Sequence, residues 1–191
     1  MIDLSITLTG TAPLLMHNSR LADPINPASK ALKAVTGKRM KTDEDHEKIG
    51  YLEFLGGLYL DDQVGPYIPG DNIRRALLDA AKLTKMGTRI TRGLINVSDV
   101  NPLGGYDGPR TGEELWAKGF HHRASVKNGT NRVVRTRPWF PTWAVQADLV
   151  LDPSVLEVAD IKLIAENSGQ YIGLGDWRPR FGRFNAEVTA K

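Results

Sequence analysis

Ile2, Leu4, Ile6 and Leu8 alternate with Asp3, Ser5, Thr7 and Thr9. A two-residue period puts every apolar side chain on one face, so the spacing predicts a half-buried strand over 2–9. The pattern then loses its period. Residues 17–42 mix Pro24, Pro27 and Gly37 with several lysines and read as a mobile insertion holding a short helix at 28–35. Acidic residues open 43–55, where they suit a helix N-terminus, and Ile49, Leu52 and Leu55 supply a modest stripe that Gly56 and Gly57 end. The segments 57–60 and 66–69, with a polar turn between them, predict a short hairpin.

Ile73, Ala76, Leu77 and Ala80 fall at i, i+3, i+4 and i+7, the spacing of one buried helical stripe. A helix is therefore predicted over 71–85, capped by Asp71 or Asn72 and closed at Gly87. A strand follows within 88–97. Residues 101–131 are rich in Gly and Asn, carry Pro102 and Pro109, and read as a long loop. The stretch 132–151 is strand-rich, with Trp143, Val145, Ala147, Leu149 and Leu151 in alternation. A second helix is predicted over 153–168, with Pro153 early in it and Val158, Ile161, Ile164 and Ala165 inward. Phe184, Ala186 and Val188 mark a closing strand. The order is βαββαβ: an α+β, ferredoxin-like or RRM-like core in one domain of 191 residues, with two large insertions at about 17–65 and 101–131.

Charge adds what periodicity does not. Residues 71–147 hold 13 Lys/Arg against 6 Asp/Glu, a net of +7, while the segments on either side each carry −2. A basic middle fits a polyanion binder, and it equally fits a solvated basic face. There is no cysteine, which excludes disulfides, thiolate zinc sites and a cysteine nucleophile. The apolar runs fall well short of the ~20 residues of a membrane span. The N-terminus lacks the basic and apolar regions of a signal peptide, so neither membrane nor export is expected.

Two segments carry candidate chemistry. In PYIPGDNIRRALLDAAK (66–82) a proline-glycine turn runs into a helix N-terminus, where free N–H groups attract phosphate, with Arg74 and Arg75 one turn in. In GLGDWRPRFGRFNAEV (173–188), Gly173, Gly175 and Gly182 permit close backbone approach. Arg178, Arg180 and Arg183 offer phosphate contacts there, and Trp177 and Phe181 offer base stacking or core packing. Neither segment is a Rossmann or P-loop fingerprint. The basic residues Arg123, Lys127, Arg132, Arg135 and Arg137 complete the candidate nucleic-acid contacts. Adjacent His121 and His122 in the basic loop point apart and lack a third metal ligand, so no metal or cofactor is expected. Trp143 reads as core. Trp139 and Phe140 fit a core, a subunit contact or a stacking platform.

Together, ITLTGTAPLL (6–15), YIPGDNIRRAL (67–77) and GLGDWRPRFGRF (173–184) resemble the RAMP superfamily, the repeat-associated proteins of CRISPR effector complexes. The likeness is greatest to the backbone subunits, whose copies stack along a guide RNA and kink it with a protruding thumb. The resemblance implies a non-catalytic subunit that binds single-stranded nucleic acid, RNA first, and assembles head-to-tail with copies of itself and other effector subunits. It implies a place in the cytoplasm of a prokaryotic or phage-infected cell. It makes 101–131 the candidate thumb and 17–42 a second contact. The family's serine pair after the turn glycine is Asp71-Asn72 here, and its first-helix glycine is replaced by Arg75-Ala76. Some RAMP nucleases use a histidine as general acid or base, and others an aspartate after the first strand. By position His17 and Asp23 match these, so an endoribonuclease is the alternative, and an adaptor for a protein partner is another.

Overall fold

The computed structural model of the chain describes residues 1–191, the side chains of Asn96 and Asn128 excepted. Strand β1 (Ile2–Gly10) pairs antiparallel with β9 (Ala144–Leu151) on one side and β10 (Phe184–Ala190) on the other. The sheet continues through β5 (Leu94–Val97) and β6 (Val100–Gly104), both on β9, then β4 (Gly65–Pro69) and β3 (Leu60–Asp61). Its order is β10-β1-β9-β6-β4-β3, and every pairing is antiparallel. The chain is thus α+β, with antiparallel sheets and six helices.

Register explains the core. Leu4, Ile6 and Leu8 lie opposite Leu149, Ala147 and Val145, and Ile6 also opposes Val188. All are buried on one face, under helices α3 (Gly70–Leu83) and α6 (Val158–Asn167). Ile73, Ala76, Leu77 and Ala80 of α3 meet Ile161, Ile164 and Ala165 of α6 there. Burying each Leu or Ile side chain contributes about 1.5–3 kcal/mol. The opposite face is polar: Ser5 opposes Asp148, and Thr7 lies between Gln146 and Glu187.

Several predicted boundaries move. Helix α3 starts at Gly70 behind Pro69, without a side-chain cap from Asp71 or Asn72. The Gly70 N–H donates to Asp99 O at 3.0 Å, and a Cβ on Gly70 would overlap Ser98 O. Buried Asn101 ties down the same turn through Nδ2 to Ile68 O at 2.9 Å. The helix ends at Leu83, and Lys85 just beyond it has a φ of 60°, so the stop comes before Gly87. Gly87 opens α4 (Gly87–Gly93), which replaces the first half of the strand predicted at 88–97. Helix α6 begins at Val158, because Glu157 and Asp160 form a reciprocal capping box after a turn that contains Pro153.

The insertions are ordered by capping and pairing. A 3-10 turn (Ser19–Ala22) leads to α1 (Pro27–Thr36), capped by Asn26, and α2 (Asp43–Gly57), capped by the Thr42–Asp45 box. Residues 101–131 are not one long loop. They contain most of β6, α5 (Gly112–Ala117) and β7 (His121–Asn128). Strand β8 (Asn131–Phe140) pairs with β7 from His121↔Pro138 to Asn128↔Asn131, and with short β2 (Leu14–Leu15). Strand β8 falls in the stretch read as strand-rich, whereas β7 reads as loop because it lacks an apolar row, so only pairing makes it a strand. Glu53 of α2 anchors it: the buried carboxylate accepts from Thr136 N at 2.8 Å and pairs with Arg135 Nη1 at 2.6 Å. No helix among the described residues is long and apolar enough to cross a membrane.

Candidate nucleic-acid interface

The loop from Gly173 to Arg183 is folded back on the β1–β2 connection. Asp176 N donates to Leu15 O and Gly182 N to Pro13 O, both at 2.8 Å. Gly175 and Gly182 have φ of 77° and 73°, and a Cβ at either would overlap a backbone carbonyl, Leu15 O or Leu174 O. These glycines thus admit the chain's own backbone, which is what their sequence signal reports. Gly173 is buried against Phe181 O and Gly182 in the same way. The loop is held from the hairpin side too: Arg137 Nε donates to Asp176 Oδ2 at 2.8 Å, and Asp176 Oδ1 accepts from Trp177 N at 3.0 Å. Trp177 sits at φ 54°, a conformation disfavoured for a large side chain, and its ring packs edge-on to His122 with centroids 5.9 Å apart.

This packing creates a cleft of about 160 Å³ between the loop, the β3–β4 hairpin and the start of α3. Met16, Ile68 and Gly175 form part of its lining; His17, Tyr59, Asn72, Arg75, Asp176 and Arg178 supply the polar groups. The two guanidiniums face one space from different elements. Asp79, one turn along α3, holds both: it accepts from Arg75 Nε at 2.9 Å and lies 3.8 Å from Arg178 Nη2. Lys82 pairs with it at 2.9 Å. Burial pushes the Asp79 carboxyl up, but the hydrogen bonds from Lys82 and Arg75 outweigh it and hold it below the usual range. His17 is accessible to water, yet the surrounding protein and then the Arg137 guanidinium disfavour its protonated form, against the opposing pull of Asp176 and Glu53. Its pKa therefore lies below 6.5. A phosphate-sized anion suits this arrangement: two guanidiniums in place, an amide donor in Asn72, and an imidazole that gains a proton when an anion arrives.

The other sequence-predicted residues are dispersed. Arg74 lies outside the cleft, with Nη1 3.5 Å from Ile95 O. Arg135 is engaged by Glu53 and Arg137 by Asp176, so both hold the hairpin to the body rather than standing free for a ligand. Lys127 and Arg132 are exposed and opposite one another far along the hairpin, where Arg132 Nε donates to Ser125 Oγ at 3.0 Å. Arg123 lines a second hollow with Tyr51, Trp116 and His121. Arg180 lies over the Phe181 ring at 5.4 Å, and Phe181 itself is buried. Arg183 lines a separate hollow with Thr11 and Glu166. Asp23 caps the following turn through Ile25 N at 3.0 Å and is not part of the cleft wall.

Sequence reasoning missed Tyr59, Asp79 and Asp176. Asp79 was legible as the i+4 partner of Arg75 and the i−3 partner of Lys82. Asp176 was not, because its partner Arg137 is 39 positions away. Trp143 is core, its Nε1 donating to Ala12 O at 2.9 Å, and Phe140 is buried with it. Among the described residues no group of three His, Asp or Glu side chains gathers in a way that could hold a metal ion. No protein-family model matches the chain, and no curated protein matches it.

Proposed function

We propose that the chain is a RAMP-like, non-catalytic subunit that holds single-stranded nucleic acid, RNA first, by its phosphate backbone. The observation that carries this reading is the cleft: Arg75 from the proline-glycine turn and helix, and Arg178 from the glycine-rich loop, line one space with His17. Two of the three segments behind the resemblance, about 100 positions apart in the chain, line one anion-sized site. A ferredoxin-like core agrees with the strand order β10-β1-β9 followed by β5 and β6, all antiparallel, with α3 and α6 as the crossovers. The hairpin β7–β8, basic at Arg123, Lys127 and Arg132, takes the part of the thumb. Stacking of copies head-to-tail along the strand, with other effector subunits, belongs to the same proposal and rests on the resemblance.

Binding by backbone contacts makes affinity strongly salt-dependent and weakly sequence-dependent. Fluorescence anisotropy of a labelled single-stranded RNA is expected to show affinity falling by at least 10-fold between about 50 and about 200 mM salt. Replacing Arg75 and Arg178 by alanine is expected to weaken binding and to lower the log–log salt slope by about 2. Salt-independent binding, or full affinity in the double variant, refutes the assignment.

A second reading has a specific observation behind it. His17 is held neutral beside two guanidiniums, the state in which it accepts a proton from a 2′-hydroxyl while the guanidiniums face the charge that develops on phosphorus. Incubation of labelled RNA with pure protein tests this: cleavage that disappears in His17→Ala makes the chain an endoribonuclease.

A further inference from the structure

Asp79 presents a contradiction in a site for polyanions. It is a carboxylate beside two guanidiniums of the cleft, and a negative charge there repels a phosphate. Its own partners resolve the contradiction. Three cations surround it, Arg75 and Lys82 at 2.9 Å and Arg178 at 3.8 Å, so its charge is locally compensated. Arg75 belongs to α3 and Arg178 to the glycine-rich loop, and Asp79 accepts a hydrogen bond from the first and lies within ion-pair distance of the second. Arg75 is otherwise largely exposed, with a side chain 63% accessible, and Arg178 has one further tie, Nη1 to Gly173 O at 3.4 Å. Without the carboxylate both side chains recover rotamer freedom that binding must then remove.

We infer that Asp79 is a positioning residue for the anion cleft: it holds the Arg75 and Arg178 guanidiniums side by side before the ligand arrives. This rests on the proposed binding function and adds the group that preorganises it. Asp79 does not touch the phosphate.

The inference reverses the sign of an ordinary charge effect, which makes it testable. Asp79→Asn raises the net charge by one, and a simple electrostatic view has it bind RNA more tightly. Preorganisation has it bind about 5–10-fold more weakly, since two long side chains must be ordered anew. Asp79→Glu, which keeps the carboxylate within reach of Arg75 and Lys82, is expected to recover most of the loss. Asp148→Asn, an acid on the open sheet face paired with Lys191, removes the same charge away from the cleft and is expected to leave affinity unchanged or slightly higher. A cycle completes the test: in the Arg75→Ala, Arg178→Ala background, Asp79→Asn is expected to have no weakening effect. Anisotropy with a labelled single-stranded RNA reads all these variants, and thermal unfolding by circular dichroism checks that each is folded.

Wild-type affinity or tighter binding in Asp79→Asn overturns the inference. So does an equal weakening in the arginine-free background, which assigns the residue to general stability of α3. Failure of the wild-type protein to bind RNA at all is a different result, and it removes the proposed function itself.

Discussion

His17 joins two opposite pH effects in one side chain. Its pKa in the folded protein is below the ordinary 6.5, because burial and Arg137 disfavour the charged ring. The unfolded chain therefore takes up the proton first as pH falls. The contribution of His17 to stability is complete above about pH 6.5 and is lost progressively below it. A phosphate in the cleft favours the protonated ring, so affinity moves the other way. Between about pH 7.5 and about pH 5.5 the wild type is expected to gain more RNA affinity than His17→Gln while losing more stability. Anisotropy and denaturant unfolding at each pH measure the two differences. A parallel pH response in both proteins shows that His17 does not face the bound anion. His17 was legible as a polar residue just after the first strand. The direction of its shift was not, since Arg137 and Glu53 approach it only through the fold.

At the scale of elements, the hairpin β7–β8 depends on one buried carboxylate. Glu53 is almost fully buried and serves the backbone N–H of Thr136 as well as the Arg135 guanidinium. Strand β2 reaches β8 only at Trp139 and Phe140, so Thr136 has no strand partner opposite β7, and the carboxylate takes its place. Glu53→Ala leaves a buried N–H and a cation without partners, and is expected to cost about 2–3 kcal/mol in urea unfolding, the lower range for breaking a pair whose arginine stays partly in water. Limited proteolysis is expected to cut first within 121–140. Unchanged stability shows that the hairpin is held by its apolar contacts alone. The core elements show why other features were readable. The β1 alternation and the α3 stripe are local, with a period that burial imposes within a few residues. Strand β7 has no such row, and its Ala124, Ser125 and Asn128, opposite Arg135, Val134 and Asn131, carry no periodic signal.

The whole molecule is polarised between two surfaces. The open face of the sheet carries Asp148, Glu187, Gln146 and Asn185, with no aromatic side chain on β1, β9 or β10 there. The cleft carries the Arg75 and Arg178 guanidiniums, and the hairpin carries Arg123, Lys127 and Arg132. A strand held as proposed therefore runs past the cleft and hairpin rather than across the sheet, the surface on which RRM domains stack bases. Glu187→Lys on the open face is expected to change RNA affinity less than 2-fold, whereas Arg178→Ala is expected to weaken it several-fold. A large gain from Glu187→Lys in the same anisotropy assay moves the binding surface to the sheet.

The sequence by itself determined strands β1, β9 and β10, helices α3 and α6, the basic middle segment and the two glycine-containing motifs, because periodicity, composition and turn chemistry are properties of neighbouring residues. Only the tertiary structure decided which arginines face a common cleft and which are engaged within the protein. Arg135 meets a glutamate 82 positions away and Arg137 an aspartate 39 away. The net charge of +3 and the +7 middle count these residues alike, but an ion pair closed inside the fold leaves less charge for a ligand than a guanidinium at the mouth of a cleft. That distinction depends on distance in space, which no local pattern along the chain records.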